Sequence, residues 1–162
     1  MKNYISVAFV GNPNCGKTTL FNAFTGANLK VANWPGVTVE KKLGVLRGNP
    51  RVTVADLPGI YSLEAASPDE KAARAFLEKE RPDVILNIID ATNLERNLYL
   101  TAQLIDMDVR MVIALNMYDE LERHGNKFDH ESLAKMIGAP IIPTVSKTGF
   151  GIEDLFNRVI KA

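Results

Sequence analysis

Eight consecutive residues carry the most chemistry in this 162-residue chain: Gly11-Asn12-Pro13-Asn14-Cys15-Gly16-Lys17-Thr18. They match G-x-x-x-x-G-K-[ST], a loop suited to holding phosphate. Glycine lets the backbone curl until several N–H groups aim at the same oxygens, and a following helix adds the partial positive charge of its N-terminus. In such a loop Lys17 reaches the β- and γ-phosphates and the Thr18 hydroxyl ligates Mg²⁺, with Thr19 next along the same nucleotide. A chance match in this length is on the order of one in a few hundred at ordinary residue usage. The bland alternative is a Gly-rich turn without a ligand. An apolar segment before the loop and a helical one after it speak against that.

The loop does not choose a base. Asn116-Met117-Tyr118-Asp119 does, at the end of another apolar segment. The Asp119 carboxylate can accept from guanine N1–H and the exocyclic amine, whereas adenine would leave it unpaired, a discrimination of ~10⁴ or more. The usual motif is N-K-x-D. Here Met117 keeps aliphatic cover for the base without the charge. Val145-Ser146-Lys147 precedes the last helical segment, and the Ser146 N–H is placed to meet the guanine oxygen.

Asp56-Leu57-Pro58-Gly59 ends a strand-like segment. Asp56 can hold a water of Mg²⁺, and the Gly59 N–H can report on the γ-phosphate. Between these motifs, residues 31–39 read as a loop. Its Thr38 is the candidate to close over Mg²⁺ and orient water, and its Trp34 reads as a loop residue rather than core. The residue after Gly59 is Ile60, which can neither orient nor activate water. Hydrolysis would then rest on Lys17, Thr38, Gly59 and Asn14, and turnover without an added cation should be slow, roughly 10⁻³ s⁻¹. Asn14 could hold a monovalent cation against the phosphates and supply that charge.

These residues need a scaffold that brings loop ends together. Apolar runs at 4–10, 84–89 and 109–116 read as buried strands. Residues 40–47 and 52–56 flank Gly48-Asn49-Pro50 as a hairpin. Helices are expected over 17–25, from Ser67 to about 80 with Ser67-Pro68-Asp69-Glu70 as its start and Pro82 as its stop, over 94–107, around 129–137 and over 152–160. Ile141-Ile142 begins a last short strand. The pattern predicts an α/β fold: six strands, mostly parallel, with helices on both faces.

Composition narrows the class. Lys plus Arg and Asp plus Glu are both 19, so no net field favours nucleic acid or anionic lipid. Cys15 is the single cysteine, which excludes an internal disulfide and fits a reducing compartment. No apolar run approaches the ~20 residues of a membrane helix. His124 and His130 lie in a polar stretch and read as solvated.

Several longer strings name a family. Gly11-Asn12-Pro13-Asn14, Asn33-Trp34-Pro35-Gly36-Val37-Thr38-Val39-Glu40-Lys41-Lys42, Asp56-Leu57-Pro58-Gly59-Ile60-Tyr61-Ser62-Leu63, Asp90-Ala91-Thr92-Asn93-Leu94-Glu95-Arg96-Asn97-Leu98 and Asn116-Met117-Tyr118-Asp119 together resemble the N-terminal G domain of ferrous iron transport protein B of prokaryotes. The resemblance covers nearly the whole chain and implies a P-loop NTPase of the Ras-like G-domain fold over residues 1–162. It implies GTP and GDP binding with Mg²⁺ and slow hydrolysis that regulates Fe²⁺ uptake. It also implies a place on the cytoplasmic side of the inner membrane, as the soluble N-terminal part of a longer protein. Partners would be that protein's helical and transmembrane domains, with self-association open and nucleic acid excluded. Some members are potassium-stimulated, which carries over to Asn14 and to the backbone carbonyls of Ala32 and Trp34. Ala32 stands where the family has glycine and lacks its φ > 0 freedom. Two other readings compete: a soluble ribosome- or tRNA-associated GTPase, and a GTP/GDP sensor with incidental hydrolysis.

Overall fold

Residues 4–34, 40–125 and 128–162 are described by a computed structural model. The elements run β1 (Ile5–Gly11), α1 (Lys17–Thr25), β2 (Leu29–Asn33), β3 (Glu40–Leu46), β4 (Asn49–Asp56), α2 (Pro68–Glu80), β5 (Val84–Asp90), α3 (Leu94–Ile105), β6 (Arg110–Asn116), α4 (Tyr118–Arg123), α5 (His130–Ile137), β7 (Ile141–Pro143) and α6 (Ile152–Lys161). One sheet takes the order β2-β3-β4-β1-β5-β6-β7. The pairs β4–β1, β1–β5, β5–β6 and β6–β7 are parallel, and β2–β3 and β3–β4 are antiparallel.

Among the described residues the sheet therefore has seven strands rather than the expected six. The additional one is β2, from a segment read as loop. Its side chains are mostly exposed, so an edge strand held by backbone pairing left no buried-face signature. The helix α4 was also not anticipated: it is six residues long, with only Leu121 buried. The expected helix over 94–107 ends at Ile105.

The central strands pack both faces. Along β1, Ala8 and Val10 join one core with Ile85, Ile89 and Leu100, while Val7 and Phe9 join the other with Leu86, Phe21 and Leu155. This alternation is the period of two of a strand covered on both sides. Helices α1 and α6 cover the second face. Phe9 meets Phe21 and Phe24 edge-on at 5.2 and 4.9 Å, and Phe24 meets Phe156 at 4.0 Å. These ring contacts seat α1, whose N-terminus opens from the phosphate loop, on β1 and α6.

Helix α2 starts as its residues dictate. The Ser67 side chain accepts from the Glu70 N–H at 3.1 Å and Pro68 takes the first helical position. Glu70 reaches back to the Ala66 N–H at 2.9 Å, one residue before the N-cap.

Trp34 corrects an expectation. It is 4% exposed and belongs to the core, edge-on to Phe76 of α2 at 5.4 Å, with the Lys41 ammonium 4.9 Å from its ring. The Gly/Pro neighbours in sequence concealed this, because its partner lies on a helix far along the chain. His124 is exposed, whereas His130 is half-buried against Tyr118 at 6.1 Å.

Replacing Phe9 by Ala should remove the ring on which α1 rests. Urea unfolding should report a loss of about 3–5 kcal/mol.

Candidate nucleotide site

The site forms where β1 ends. Neighbouring strands lead to opposite sides there, β4 on one flank and β5 on the other, and such a switch point leaves a crevice at the carboxyl ends of parallel strands. The turn from Gly11 into α1 needs unusual backbone: Asn14 sits at φ 63° and Gly16 at φ 88°. Gly16 has a second constraint. A Cβ there would lie 2.2 Å from Asn116 Nδ2. Gly59 is similarly close to the loop, since a Cβ on it would meet Pro13 backbone atoms at 3.1 Å.

The Asp56–Gly59 segment runs beside the loop through backbone bonds. The Leu57 N–H donates to the Phe9 carbonyl at 3.2 Å, and the Ile60 N–H to the Gly11 carbonyl at 3.0 Å. The Lys17 ammonium donates to Asp56 Oδ1 and, at 2.7 Å, to the Leu57 carbonyl. Both side chains of this ion pair are about nine-tenths buried.

One cleft of about 660 Å³ gathers Asn12, Pro13, Asn14, Gly16, Lys17, Thr18 and Thr19 with Asp56, Leu57, Pro58, Gly59 and Met117. Two further residues line it that sequence reasoning missed, Lys42 of β3 and Asp69 in the first turn of α2. Lys42 pairs with Asp56 in the β3–β4 register, which the hairpin's sequence alone does not define because the register shifts at Val45/Leu46. The Asn12 side chain is buried, and neither amide atom has a hydrogen-bond partner among the described residues.

Asn116 is fully buried and uses its whole amide. Nδ2 donates to the Cys15 carbonyl at 2.9 Å and to Ser146 Oγ at 3.2 Å. Oδ1 accepts from Thr144 Oγ1 and from the Ser146 N–H, each at 3.1 Å. The phosphate loop and the Val145-Ser146-Lys147 loop are thus joined through one side chain. This engages the Ser146 N–H that was expected to face guanine, so a base oxygen there would share it with Asn116. Val145 is buried and bridges to Phe150, and Lys147 is exposed.

Met117 adopts φ 59° and turns the chain into α4, whose first turn carries Asp119. The Asp119 carboxylate is 43% exposed and 3.9 Å from Arg123, and it does not line the phosphate cleft. Thr38 lies outside the described residues. Ala32 is extended within β2, paired with Lys41, so its backbone does not require glycine here.

Burial pushes the Cys15 thiol up to about 11, outweighing the pull of the nearby Lys17 charge. It stays protonated at neutral pH and offers no thiolate. Among the described residues, no group of three or more His, Cys, Asp or Glu could hold a metal ion, and no helix is long and apolar enough to cross a membrane.

Substituting Asn116 by Ala would strand the Ser146 N–H and the Thr144 hydroxyl. Chemical denaturation should show a loss of about 2–4 kcal/mol, more than a surface substitution gives.

Residues 5–159 match the family described as ferrous iron transport protein B. A Fe(2+) transport protein A/Fe(2+) transporter FeoB fusion protein of Porphyromonas gingivalis is 52% identical over 158 residues, covering 96% of this chain and 19% of that protein. The crystal structure of an S. thermophilus NFeoB mutant bound to GDP is 47% identical, with a TM-score of 0.91 over 96% of this chain and 61% of its own. The cytosolic domain of the T. maritima FeoB iron transporter in its GMPPNP form is 43% identical, with a TM-score of 0.90 over 97% of this chain and 63% of its own. The chain thus spans about a fifth of the P. gingivalis protein and under two thirds of these solved chains. At these identities the fold is that of a P-loop G domain, and the chain belongs to the ferrous iron transport protein B family.

Proposed function

We propose that this chain is a guanine-nucleotide switch that binds GTP and GDP with Mg²⁺, hydrolyses GTP slowly, and regulates ferrous iron uptake from the cytosolic face of a membrane transporter. One observation carries the reading: the phosphate loop, the Asp56–Gly59 segment and Met117 share a single cleft, with Lys17 and Asp56 facing each other inside it. The GDP and GMPPNP forms of its relatives agree with it.

The residues suit the ligands. A triphosphate with a divalent ion brings both signs of charge, so Lys17 can turn to phosphate and Asp56 to a metal-bound water. Thr18 and Asp56 are hard oxygen donors of the kind Mg²⁺ accepts, few enough that it keeps several waters. Bound there, Mg²⁺ would neutralise charge on the phosphate oxygens. Asp119 reads the guanine N–H groups, with Met117 covering the ring and Ser146 and Lys147 at its other edge.

Hydrolysis joins a water oxygen to the γ-phosphorus and breaks its bond to the β-phosphate oxygen, leaving GDP and phosphate. The Gly59 N–H can stabilise the transferring group. Ile60 gives no help to the water: it is 2% exposed, packed in the core, with its N–H bonded to Gly11. Turnover near 10⁻³ s⁻¹ is roughly what an unassisted site of this type reaches. Charge supplied by K⁺ at Asn14, with carbonyls of Ala32 and Trp34, would raise it. The buried Ile60 also favours a second reading, a GTP/GDP sensor in which hydrolysis is incidental.

Titration should give tight GTP and GDP binding and none of ATP at comparable concentration, and Asp119→Ala should weaken GTP by about 3 kcal/mol. Preference for ATP, or unchanged GTP affinity in the variant, would overturn the base assignment. Single-turnover hydrolysis should run faster in K⁺ than in Na⁺, and Asn14→Ala should abolish the difference while GDP still binds. No turnover in either salt would leave the sensor.

A further inference from the structure

Residues 61–64, which follow Gly59 and Ile60, are tied to helices α2 and α3, and one side chain makes the central contact. The Leu63 N–H donates to Gln103 Oε1 of α3 at 2.6 Å, and Gln103 Nε2 donates to Ser62 Oγ at 3.3 Å. Ser62 Oγ also accepts from the Glu64 N–H at 3.0 Å, and Arg74 of α2 donates to the Leu63 carbonyl at 2.7 Å. On either side, Arg96 lies 4.0 Å over the Tyr61 ring and Tyr99 donates to Glu64. Leu63 and Ser62 are buried, at 4% and 8% exposure. Leaving the N–H of the buried Leu63 unpaired would be costly.

We infer that Gln103 is a positioning residue: it clamps the Ser62–Leu63 backbone to α3 and so holds the adjoining Gly59 N–H where the γ-phosphate is read. This rests on the switch reading above. The other end of the segment is already anchored, because the Ile60 N–H is bonded to the Gly11 carbonyl of the phosphate loop. Only Tyr61 and Ser62 lie between the Ile60 N–H and the Leu63 N–H that Gln103 holds. A segment held so closely at both ends has little freedom, and small displacements at a reacting centre are costly in rate. Releasing the Gln103 end loosens the segment without touching the phosphate loop, Lys17 or the base-reading residues. Its signature is a loss in hydrolysis with GDP affinity intact.

The test compares the wild-type 162-residue chain with Gln103→Met, which fills the space without either hydrogen bond, and Gln103→Glu, which keeps the acceptor for Leu63. Hydrogen exchange over residues 60–66, GDP affinity and single-turnover GTP hydrolysis are read together. Gln103→Met should speed exchange across this segment and slow hydrolysis roughly tenfold, while GDP affinity moves less than about twofold. Gln103→Glu should recover most of the exchange protection and the rate. Hydrolysis at the wild-type rate in Gln103→Met would overturn the positioning role alone, as would GDP affinity falling in step with rate, which marks a merely structural residue. A wild-type chain indifferent to GTP would instead overturn the switch reading, and this role with it.

Discussion

The buried amide of Asn116 is the constraint on which the site depends. Loops at the carboxyl edge of a parallel sheet carry backbone groups that no strand satisfies, and burying them unpaired costs free energy. Asn116 answers two of them, the Cys15 carbonyl and the Ser146 N–H, and takes the Thr144 hydroxyl as well. In a low-dielectric setting such bonds are strong and their loss is expensive. The arrangement works only because Gly16 brings no Cβ, since one would sit 2.2 Å from the same amide nitrogen. The Gly11–Thr18 loop and the Val145-Ser146-Lys147 loop are therefore one unit, and the glycine usually explained by its backbone freedom is also required by a neighbour.

The second feature is the buried pair of Lys17 and Asp56. Two charges removed from water are weak evidence of stability, because desolvation offsets most of their attraction. Under the proposed function they are partners that can be exchanged: each is the sign that a metal-bound triphosphate would meet on its side of the cleft. The Asn12 amide, which lines the same cleft, has no hydrogen-bond partner among the described residues and is a further polar group with capacity to spare.

Beneath the site, the two faces of the sheet have different tasks. The aromatic cluster of Phe9, Phe21, Phe24 and Phe156 makes α1 a rigid extension of β1. The opposite face holds α2 and α3, to which the residues after Gly59 are bonded by side chains while Ile60 and Leu63 pack in the core there.

Sequence alone determined much of this protein. The phosphate loop, the capped start of α2 at Ser67, the buried central strands and the motif order were legible, because each is written in neighbouring residues or in a short period. Tertiary structure decided what depends on partners distant in the chain. Trp34 is core because Phe76 waits for it, and Asn116 is a knot because Cys15 and Ser146 converge on it. Strand β2 escaped detection since an edge strand with exposed side chains has no apolar period, and Lys42 joined the cleft through a register shift that no local signal records. Local propensity reads the chain in one dimension, whereas burial and hydrogen-bond satisfaction are settled only when strands and loops meet.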